Sequence, residues 1–379
     1  MKKTAECVII GGGITGCAVA YFLAKKGMKD VVLLEKDFLA AGATGRCGGG
    51  IRQQWSTEYN IKLAMESRKI FDEIQTEWGY DIEWQHGGYL CLAYSDEYEK
   101  QFRKNVELQR KLGLKVDLLT PDEAKKLVPQ LNVEGVKIAT FCDTDGHANP
   151  FLATNAFANE AKKLGVEINL FTQVTGIEVK NGRIQKVVTT KGTISTPMVV
   201  NASGAYGAQI AKMAGLEIPC TPYRHEILVT EPVNPFFPMM IISFDGNFYF
   251  RQANSGGIIG GHGTPGEPPG INYSSSFDFI HAFTNKLAKL MPVLGDVKVI
   301  RQWSGMYTVT PDAQPILGGV DELAGYYQAV GYSGHGFMVA PMTAKLLSEL
   351  ILGEELSMSI EGLSLNRFKG TITRETSVV

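Results

Sequence analysis

The chain has 379 residues, with 37 Lys and Arg against 39 Asp and Glu for a formal charge of −2. That length is enough for a large core and for two intertwined domains rather than one, and the near-neutral balance excludes a nucleic acid or an anionic membrane as an electrostatically recruited partner. The six cysteines, Cys7, Cys17, Cys47, Cys91, Cys142 and Cys220, are scattered with no CxxC pair, which argues against a zinc site or dithiol motif and for a reducing cytoplasm. Glycine is abundant, at 42 residues without low complexity, as expected of a backbone that approaches a large ligand in many places.

The first element is an apolar strand, Val8-Ile9-Ile10, that enters Gly11-Gly12-Gly13-Ile14-Thr15-Gly16. An apolar helical pattern follows, then a second strand, Val31-Val32-Leu33-Leu34, that ends at Glu35. Strand, glycine turn, helix, strand and acid are in the order a dinucleotide site requires. Gly11 makes the tight turn, Gly13 lets a pyrophosphate reach the backbone, and Gly16 lets the helix pack on the strand. The helix N-terminus presents free N–H groups to the phosphates, and Glu35 is placed to accept from a ribose hydroxyl. The uncharged run from Cys7 to Ala24 superficially resembles a signal peptide or membrane span, but Glu6 and three consecutive glycines break it. No other stretch is apolar enough to span a bilayer, so the chain reads as soluble.

A glycine-rich loop, Ala40 to Gly50, comes next, then a helix over 57–78 with Ile61, Ala64, Phe71, Ile74 and Trp78 on one face. Gly88 to Ala93 reads as a strand, and Thr120-Pro121-Asp122-Glu123 as a capping box opening a helix. Leu152 to Leu164 is a helix stopped by Gly165, followed by a strand from Val166 to Leu170 and a hairpin at Asn181-Gly182. Pro197 to Asn201 repeats the opening pattern, a buried strand running into a small-residue turn, Ala202-Ser203-Gly204. From about Pro222 to Arg301 short alternating strands and proline turns prevail, with a helix near 276–291. Tyr326 to Val330 is a strand, Gly331 to Gly336 a glycine turn, and 341–352 a helix stopped by Gly353. Dinucleotide-type segments thus recur at both ends, which predicts an α/β fold with a discontinuous Rossmann-like domain (1–85, 145–221 and 302–379). The remainder (86–144 and 222–301) is predicted to form a second, antiparallel-sheet domain for substrate.

Taken in this order, six motifs resemble the glycine/D-amino acid oxidase group of flavoproteins, over nearly the whole chain. They are Gly11 to Gly16 with Glu35, Thr44-Gly45-Arg46-Cys47-Gly48-Gly49-Gly50-Ile51-Arg52-Gln53, Asp145 to Pro150, Asn201 to Ala205, Trp303 to Asp312, and Gly331 to Phe337. The resemblance is strongest to the β subunits of heteromeric sarcosine oxidases and L-proline dehydrogenases. It implies a Rossmann-like FAD domain plus an antiparallel substrate domain. It assigns the cofactor to Gly11, Gly13, Ile14, Thr15, Gly16, Glu35, Lys36, Thr44, Arg46, Cys47, Gly48, Gly49, Val174, Ala202, Ser203, Gly204, Tyr307, Gly334, His335, Gly336, Phe337 and Met338. The residues point the same way, because three separated glycine turns suit a long, tightly held FAD better than an exchangeable nicotinamide.

Amine oxidation by hydride transfer needs an unprotonated nitrogen, a carboxylate anchor and a dry flavin face. Arg46, Arg52, His225, Tyr249, Arg251, His262 and His335 are the candidates. The resemblance places His225 near the substrate amine, while the residues alone allow a satisfied strand histidine. Tyr249 and Arg251 alternate on a strand and share a face, which the resemblance turns toward substrate and the bare pattern leaves as a solvated edge. Arg52 suits a bidentate carboxylate fork and equally a structural salt bridge. His335 reads as a flavin contact rather than a base.

Three departures from the family pattern narrow the reading. Gly305 stands where monomeric sarcosine oxidases carry the cysteine that tethers FAD, which implies a non-covalent cofactor. Gly257-Ile258-Ile259-Gly260-Gly261-His262 lacks the lysine that promotes reaction with oxygen, and Met338 replaces a carboxylate-binding lysine. The expectation is an FAD-dependent dehydrogenase of L-proline or sarcosine type, passing electrons to a carrier rather than efficiently to oxygen. The alternatives are an FAD oxidase of glycine or D-amino acids, and a flavin-carrying subunit inactive without its partner. By the same resemblance an α subunit is an expected partner and a separate FMN at a subunit interface stays open. His147 is one residue out of register for a covalent FMN. A hydrolase is disfavoured, because Gly331-Tyr332-Ser333-Gly334-His335 lacks the GxSxG spacing. Metal catalysis is disfavoured by six histidines that form no ligand cluster.

Overall fold

The computed structural model describes residues 1–370 and 372–378. The chain opens with β1 (Cys7–Ile10), α1 (Ile14–Lys25), β2 (Val31–Leu34), the short α2 (Ala43–Arg46), β3 (Gly50–Ile51) and α3 (Glu58–Thr76). It continues through β4 (Tyr89–Ala93), α4 (Asp96–Lys111), β5 (Asp117–Leu119), α5 (Pro121–Leu127), β6 (Ile138–Cys142), β7 (Gly146–His147) and α6 (Pro150–Lys163). Next come β8 (Glu167–Asn169), β9 (Val174–Lys180), β10 (Arg183–Thr189), β11 (Gly192–Ser195), β12 (Val199–Asn201) and α7 (Gly207–Met213). The last third holds β13 (Thr221–Pro232), β14 (Met240–Ser243), β15 (Phe248–Gln252), β16 (Gly257–His262), α8 (Phe277–Leu290), β17 (Val299–Val309), β18 (Ile316–Val320), β19 (Leu323–Val330) and α9 (Gly336–Leu352).

Two large sheets organise these elements. In the first, β19, β12, β1, β2 and β8 run parallel side by side, with Val8 opposite both Val32 and Val199. Every residue of β1 and β2 is buried, as parallel strands covered by helices on both faces must be. Helices α1, α6, α3 and α9 pack together over one face with Tyr21, Phe71, Phe157 and Leu347 in their core. The second sheet has eight strands in the order β17-β13-β16-β15-β14-β4-β6-β5, mostly antiparallel. Its own core gathers Leu92, Ile241, Phe250 and Ile258 with Phe279 and Phe283 of α8. The α/β fold with a Rossmann-like sheet and a second sheet is therefore present.

Three local readings change. The division at residue 302 falls inside β17, which pairs with β13 from Thr221↔Val309 through Thr230↔Val299 and so stays in the second sheet to its end. Helix α6 starts at Pro150 rather than Leu152, because Asn149 caps it by accepting from the N–H groups of Phe151 and Leu152. Helix α9 starts at Gly336, not at 341, and carries Pro341 inside it. The proline sacrifices one backbone bond in a helix that packing holds on almost every side. The capping box at Thr120 and Glu123 forms as read, with Thr120 Oγ1 accepting from Glu123 N and the Glu123 carboxylate from Thr120 N.

Candidate active site

The parallel sheet places its first two crossovers so that β1 points into α1 and β2 ends at Glu35. Gly11 sits at φ +117, and a Cβ there would lie 2.4 Å from Ala202 O in the neighbouring turn. A Cβ on Gly16 would lie 1.9 Å from Gly11 O, so this glycine serves the packing of α1 against its own turn. Gly13 is different: a Cβ would meet only Thr44 Oγ1, at 3.0 Å, and its open side faces a cavity. Glu35 is held at the cavity edge by the N–H groups of Gly12 at 2.7 Å and Asp37 at 2.8 Å. Thr44 Oγ1 accepts from Ile14 N at 3.2 Å, which ties the glycine-rich loop to the start of α1.

The cavity has a volume of about 450 Å³. It runs from Glu35, Lys36 and Val174 past Gly11, Gly13, Ile14 and Thr15 and the turn Ala202-Ser203-Gly204. Beyond Thr44, Arg46 and Cys47 it reaches His225, Tyr249, Gly305, Tyr307, Gly334, Gly336 and Phe337. Its far end thus lies at the N-terminus of α9, where His335 is the N-cap residue without a side-chain cap and backbone N–H groups are left to a ligand. A second cavity of about 60 Å³ is lined by Cys47, Gly48, Gly49, Arg52, Tyr249, Tyr307, Gly334, His335, Phe337 and Met338, together with Trp55, Tyr89, Met240, Ile242 and Val378. The two cavities share Cys47, Tyr249, Tyr307, Ser333, Gly334 and Phe337 as walls.

Three of the expected site residues stand outside both cavities: Gly16, for the packing reason above, Arg251 and His262. Arg251 and Tyr249 both lie on β15, which is an interior strand, so the solvated-edge alternative does not hold. Tyr249 lines both cavities, whereas the Arg251 guanidinium reaches beneath the glycine loop, where Nε donates to Gly48 O at 2.6 Å. Burial lowers its pKa to about 10, and it has no ion-pair partner among the described residues. Arg46 likewise donates to backbone, to Ala41 O at 3.0 Å and Ser304 O at 2.9 Å, with Tyr273 stacked on its guanidinium.

Arg52 is 3% exposed. Its Nη1 donates to Gln54 O at 2.5 Å and Nη2 to Ser377 O at 2.6 Å, its plane lies 3.7 Å from the Trp55 ring, and Nε has no partner. It makes no ion pair among the described residues, and the structural salt bridge expected as one alternative is not found among them. Among the described residues its charge is thus met by carbonyl dipoles and an aromatic face rather than by an ion pair.

His225 lies parallel to Tyr307, centroids 4.1 Å apart, and faces Tyr249 at 5.6 Å. Burial, helped by neighbouring His262, pushes its pKa down to about 3, and its Nε2 has no partner. His335 packs against Trp55, centroids 4.7 Å apart and rings tilted by 47°, and is pushed down to about 4 by burial, with both ring nitrogens unpartnered. Burial raises the Cys47 thiol to about 11 and holds the Tyr249 and Tyr307 phenols well above their usual range. The charged side chains on the walls are therefore Arg46 and Arg52 and, at the opposite end, Glu35, Lys36 and Asp37. Tyr273, Tyr206, Tyr89, Trp55, Met240 and Ile242 also line the site and were not singled out in the sequence. Each is a lone side chain in an ordinary strand or loop, so no local signal marks it. His262 contributes to neither cavity; its Nδ1 lies 2.9 Å from Gly263 O and its ring packs against Phe279. No group of His, Cys, Asp and Glu able to hold a metal occurs among the described residues.

The geometry has counterparts in known proteins. The family described as FAD dependent oxidoreductase (DAO) matches residues 6–350. The crystal structure of L-proline dehydrogenase from P. horikoshii superposes with a TM-score of 0.94 at 39% identity, covering 99% of this chain and all (100%) of that one. Sarcosine oxidase subunit beta of Arthrobacter sp is 29% identical over 97% of this chain and 92% of its own. Human mitochondrial dimethylglycine dehydrogenase is 30% identical over 99% of this chain but only 46% of its own length, so the chain spans about half of that relative. With its glycine turns, acid and long cavity arranged as that family requires, the chain belongs to the DAO family of FAD-dependent oxidoreductases.

Proposed function

We propose that the chain oxidises the C–N bond of a small secondary or N-methyl amino acid, of L-proline or sarcosine type, to an imine. The observation that carries this reading is the small cavity: it opens on the long one and holds a buried, unpaired guanidinium, Arg52. At about 60 Å³, with Cys47, Tyr249 and Tyr307 shared with the long cavity, the space beside Arg52 is small, which favours a compact amino acid over one with a long side chain. The likeness to L-proline dehydrogenase and to sarcosine oxidase subunit beta supports the same substrate class.

The glycine cradle fits FAD: Gly13 is open where a Cβ would intrude, Glu35 ends the second strand, and the cavity ends at the N-terminus of α9. Bound there, FAD supplies the acceptor for a hydride from the substrate carbon. Arg52 anchors the substrate carboxylate. Tyr249, Tyr307, Trp55 and Met240 exclude water from the space beside it. No carboxylate lines this end, and the buried Asp145 and Glu375 are engaged by residues 53–60, so an ammonium would meet Arg52 with no carboxylate on the wall, and the amine binds as the free base. His225, kept neutral, offers Nε2 as a hydrogen-bonding atom without adding charge. Arg251 acts on the loop, holding Gly48 against the cofactor.

The cofactor is non-covalent in this reading: Gly305 offers no thiol, and of the six free cysteines only Cys47 lines the cavities. The sole lysine on either wall is Lys36, beside Glu35, so no ammonium activates oxygen at the far end and a dehydrogenase is favoured over an oxidase. An α subunit, an electron carrier and an FMN between subunits belong to the same proposal, after the relatives named as β subunits. So does the cytoplasm, which suits six unpaired cysteines; no helix among the described residues is long and apolar enough to cross a membrane. The test is a panel of sarcosine, L-proline, glycine and D-amino acids mixed anaerobically with the FAD-loaded protein. Fast bleaching by L-proline or sarcosine, with little peroxide under air, is expected. Bleaching by glycine or a D-amino acid alone, or stoichiometric peroxide, would overturn it. If bleaching appears only after another subunit is added, the chain is a flavin-carrying subunit.

A further inference from the structure

Arg52 sits in a segment that is gripped from two sides by buried carboxylates. On one side, Asp145 accepts from Gln53 N at 2.9 Å, Gln53 Nε2 at 2.8 Å and Gln54 Nε2 at 2.9 Å. On the other, Glu375, 0% exposed, arrives on a segment of the chain remote in sequence. Its Oε1 accepts from Ser56 N at 3.0 Å, Ser377 N at 2.9 Å and Ser56 Oγ. Its Oε2 accepts from Thr57 N at 3.0 Å, Thr57 Oγ1 at 2.7 Å and Asn60 Nδ2 at 3.1 Å. Six donors converge on one carboxylate, and although burial alone would raise its pKa, these hydrogen bonds hold it below the usual carboxylate range. Ser56 Oγ returns a bond by accepting from Thr376 N at 2.9 Å.

The result reaches Arg52 directly. The residue two beyond Glu375 is Ser377, whose carbonyl takes Arg52 Nη2 at 2.6 Å and is one of only two acceptors of that guanidinium among the described residues. Val378 completes the wall of the small cavity beside it. A long cationic side chain loses rotamer freedom when fixed, so each carbonyl that holds it before a ligand arrives favours binding. We propose that Glu375 is a positioning residue for Arg52: by pinning segment 373–378 to residues 56–60 it keeps the Ser377 carbonyl on the guanidinium and aims the anchor into the small cavity. This rests on the reading of Arg52 as the carboxylate anchor.

The test uses the FAD-loaded protein and 2-furoate, a five-membered-ring carboxylate with no amine to oxidise, titrated against the flavin spectrum with furan as the uncharged control. Glu375→Gln keeps the shape but presents an amide N–H₂ to backbone donors. It is expected to weaken 2-furoate at least tenfold while leaving furan and FAD binding within about twofold. Ser56→Ala, which removes one side-chain donor and keeps the carboxylate, is expected to weaken 2-furoate about threefold and carries the test if Glu375→Gln does not fold. Glu375→Asp is expected to recover part of the affinity. Arg52→Lys separates the two claims. If it leaves 2-furoate unchanged, the anchor reading is wrong. If it weakens 2-furoate while Glu375→Gln and Ser56→Ala do not, Glu375 has no positioning role. Equal loss of 2-furoate, furan and FAD would reduce Glu375 to a cap on α3 and overturn the proposal.

Discussion

The two ends of the site are built by different means. At the Glu35 end the chain offers backbone: Gly11, Gly13 and the start of α1 lie within a few residues of one another, and Glu35 and Thr44 add side-chain bonds from farther along the chain. At the Arg52 end it offers side chains from β4, β14, β15, β17, α9 and segment 373–378, brought together by the second sheet and a helix. A cradle made of backbone tolerates no added atom but asks little of distant residues. A pocket made of side chains tolerates substitution at most positions and depends on remote supports for its few charges.

The sharpest way to break this contrast is at Gly16. Gly16→Ala puts a methyl 1.9 Å from Gly11 O, a backbone atom that cannot yield, so the protein is expected to lose its flavin colour or its fold. Gly27→Ala, in the same crossover, has φ +104 but no neighbour within 4 Å, and is expected to cost only about 1–2 kcal/mol of backbone strain. Thermal melts and visible absorbance of the two variants check this directly.

The next largest effect separates two buried arginines. Arg52→Gln should raise KM for an amino acid substrate by roughly 10- to 100-fold with little change in FAD retention, since it removes a charge-assisted bond to the carboxylate. Arg251→Gln should do the reverse, weakening FAD through the Gly48 loop while KM in the presence of excess FAD moves less. Dialysis against FAD-free buffer and steady-state kinetics distinguish them. Equal effects on both quantities would erase the division of labour.

Side-chain pockets also store a pH dependence that backbone cradles lack. Burial lowers His147 and His225 to about 3 and His335 to about 4, against 6.5 in the open chain. Below pH 6.5 the unfolded chain therefore binds more protons than the folded one. The stability present above that pH is lost as pH falls toward 3–4, by about 1–2 kcal/mol per imidazole between pH 6.5 and 5. Asp145, raised by burial to about 6, works in the opposite sense and offsets one of the three. A chemical-denaturation series from pH 7.5 to 5 should show the net loss, and His225→Gln should flatten it. The smallest effect is at the cradle's hydroxyl tie: Thr44→Val removes the bond to Ile14 N and should cost about 1 kcal/mol in FAD affinity.

What could be read from the sequence follows the same line. The opening crossover, the turn at Ala202-Ser203-Gly204 and the hairpin at Asn181-Gly182, with both residues at positive φ, were legible because each is a local pattern with a local cause. The length of β17 was not, because only its pairing with β13 carries it past residue 302. The start of α9 was obscured by Pro341, which packing overrides. Within the site, Arg52 and His225 could be named but not placed, and the bond of Arg251 to Gly48 O could not be read, since alternation on a strand fixes a face and not what a long side chain reaches. Glu375 had no signal at all: its role exists only where residues 56–60 and 373–378 meet.

The most direct test of the account is anaerobic mixing of the FAD-loaded protein with L-proline, sarcosine and pyrrolidine, the ring of proline without its carboxylate. Flavin bleaching by L-proline or sarcosine, with pyrrolidine at least about 100-fold slower at equal concentration, is the predicted result for a carboxylate held by Arg52. Pyrrolidine bleaching as fast as L-proline, or Arg52→Gln leaving the L-proline rate unchanged, would contradict it.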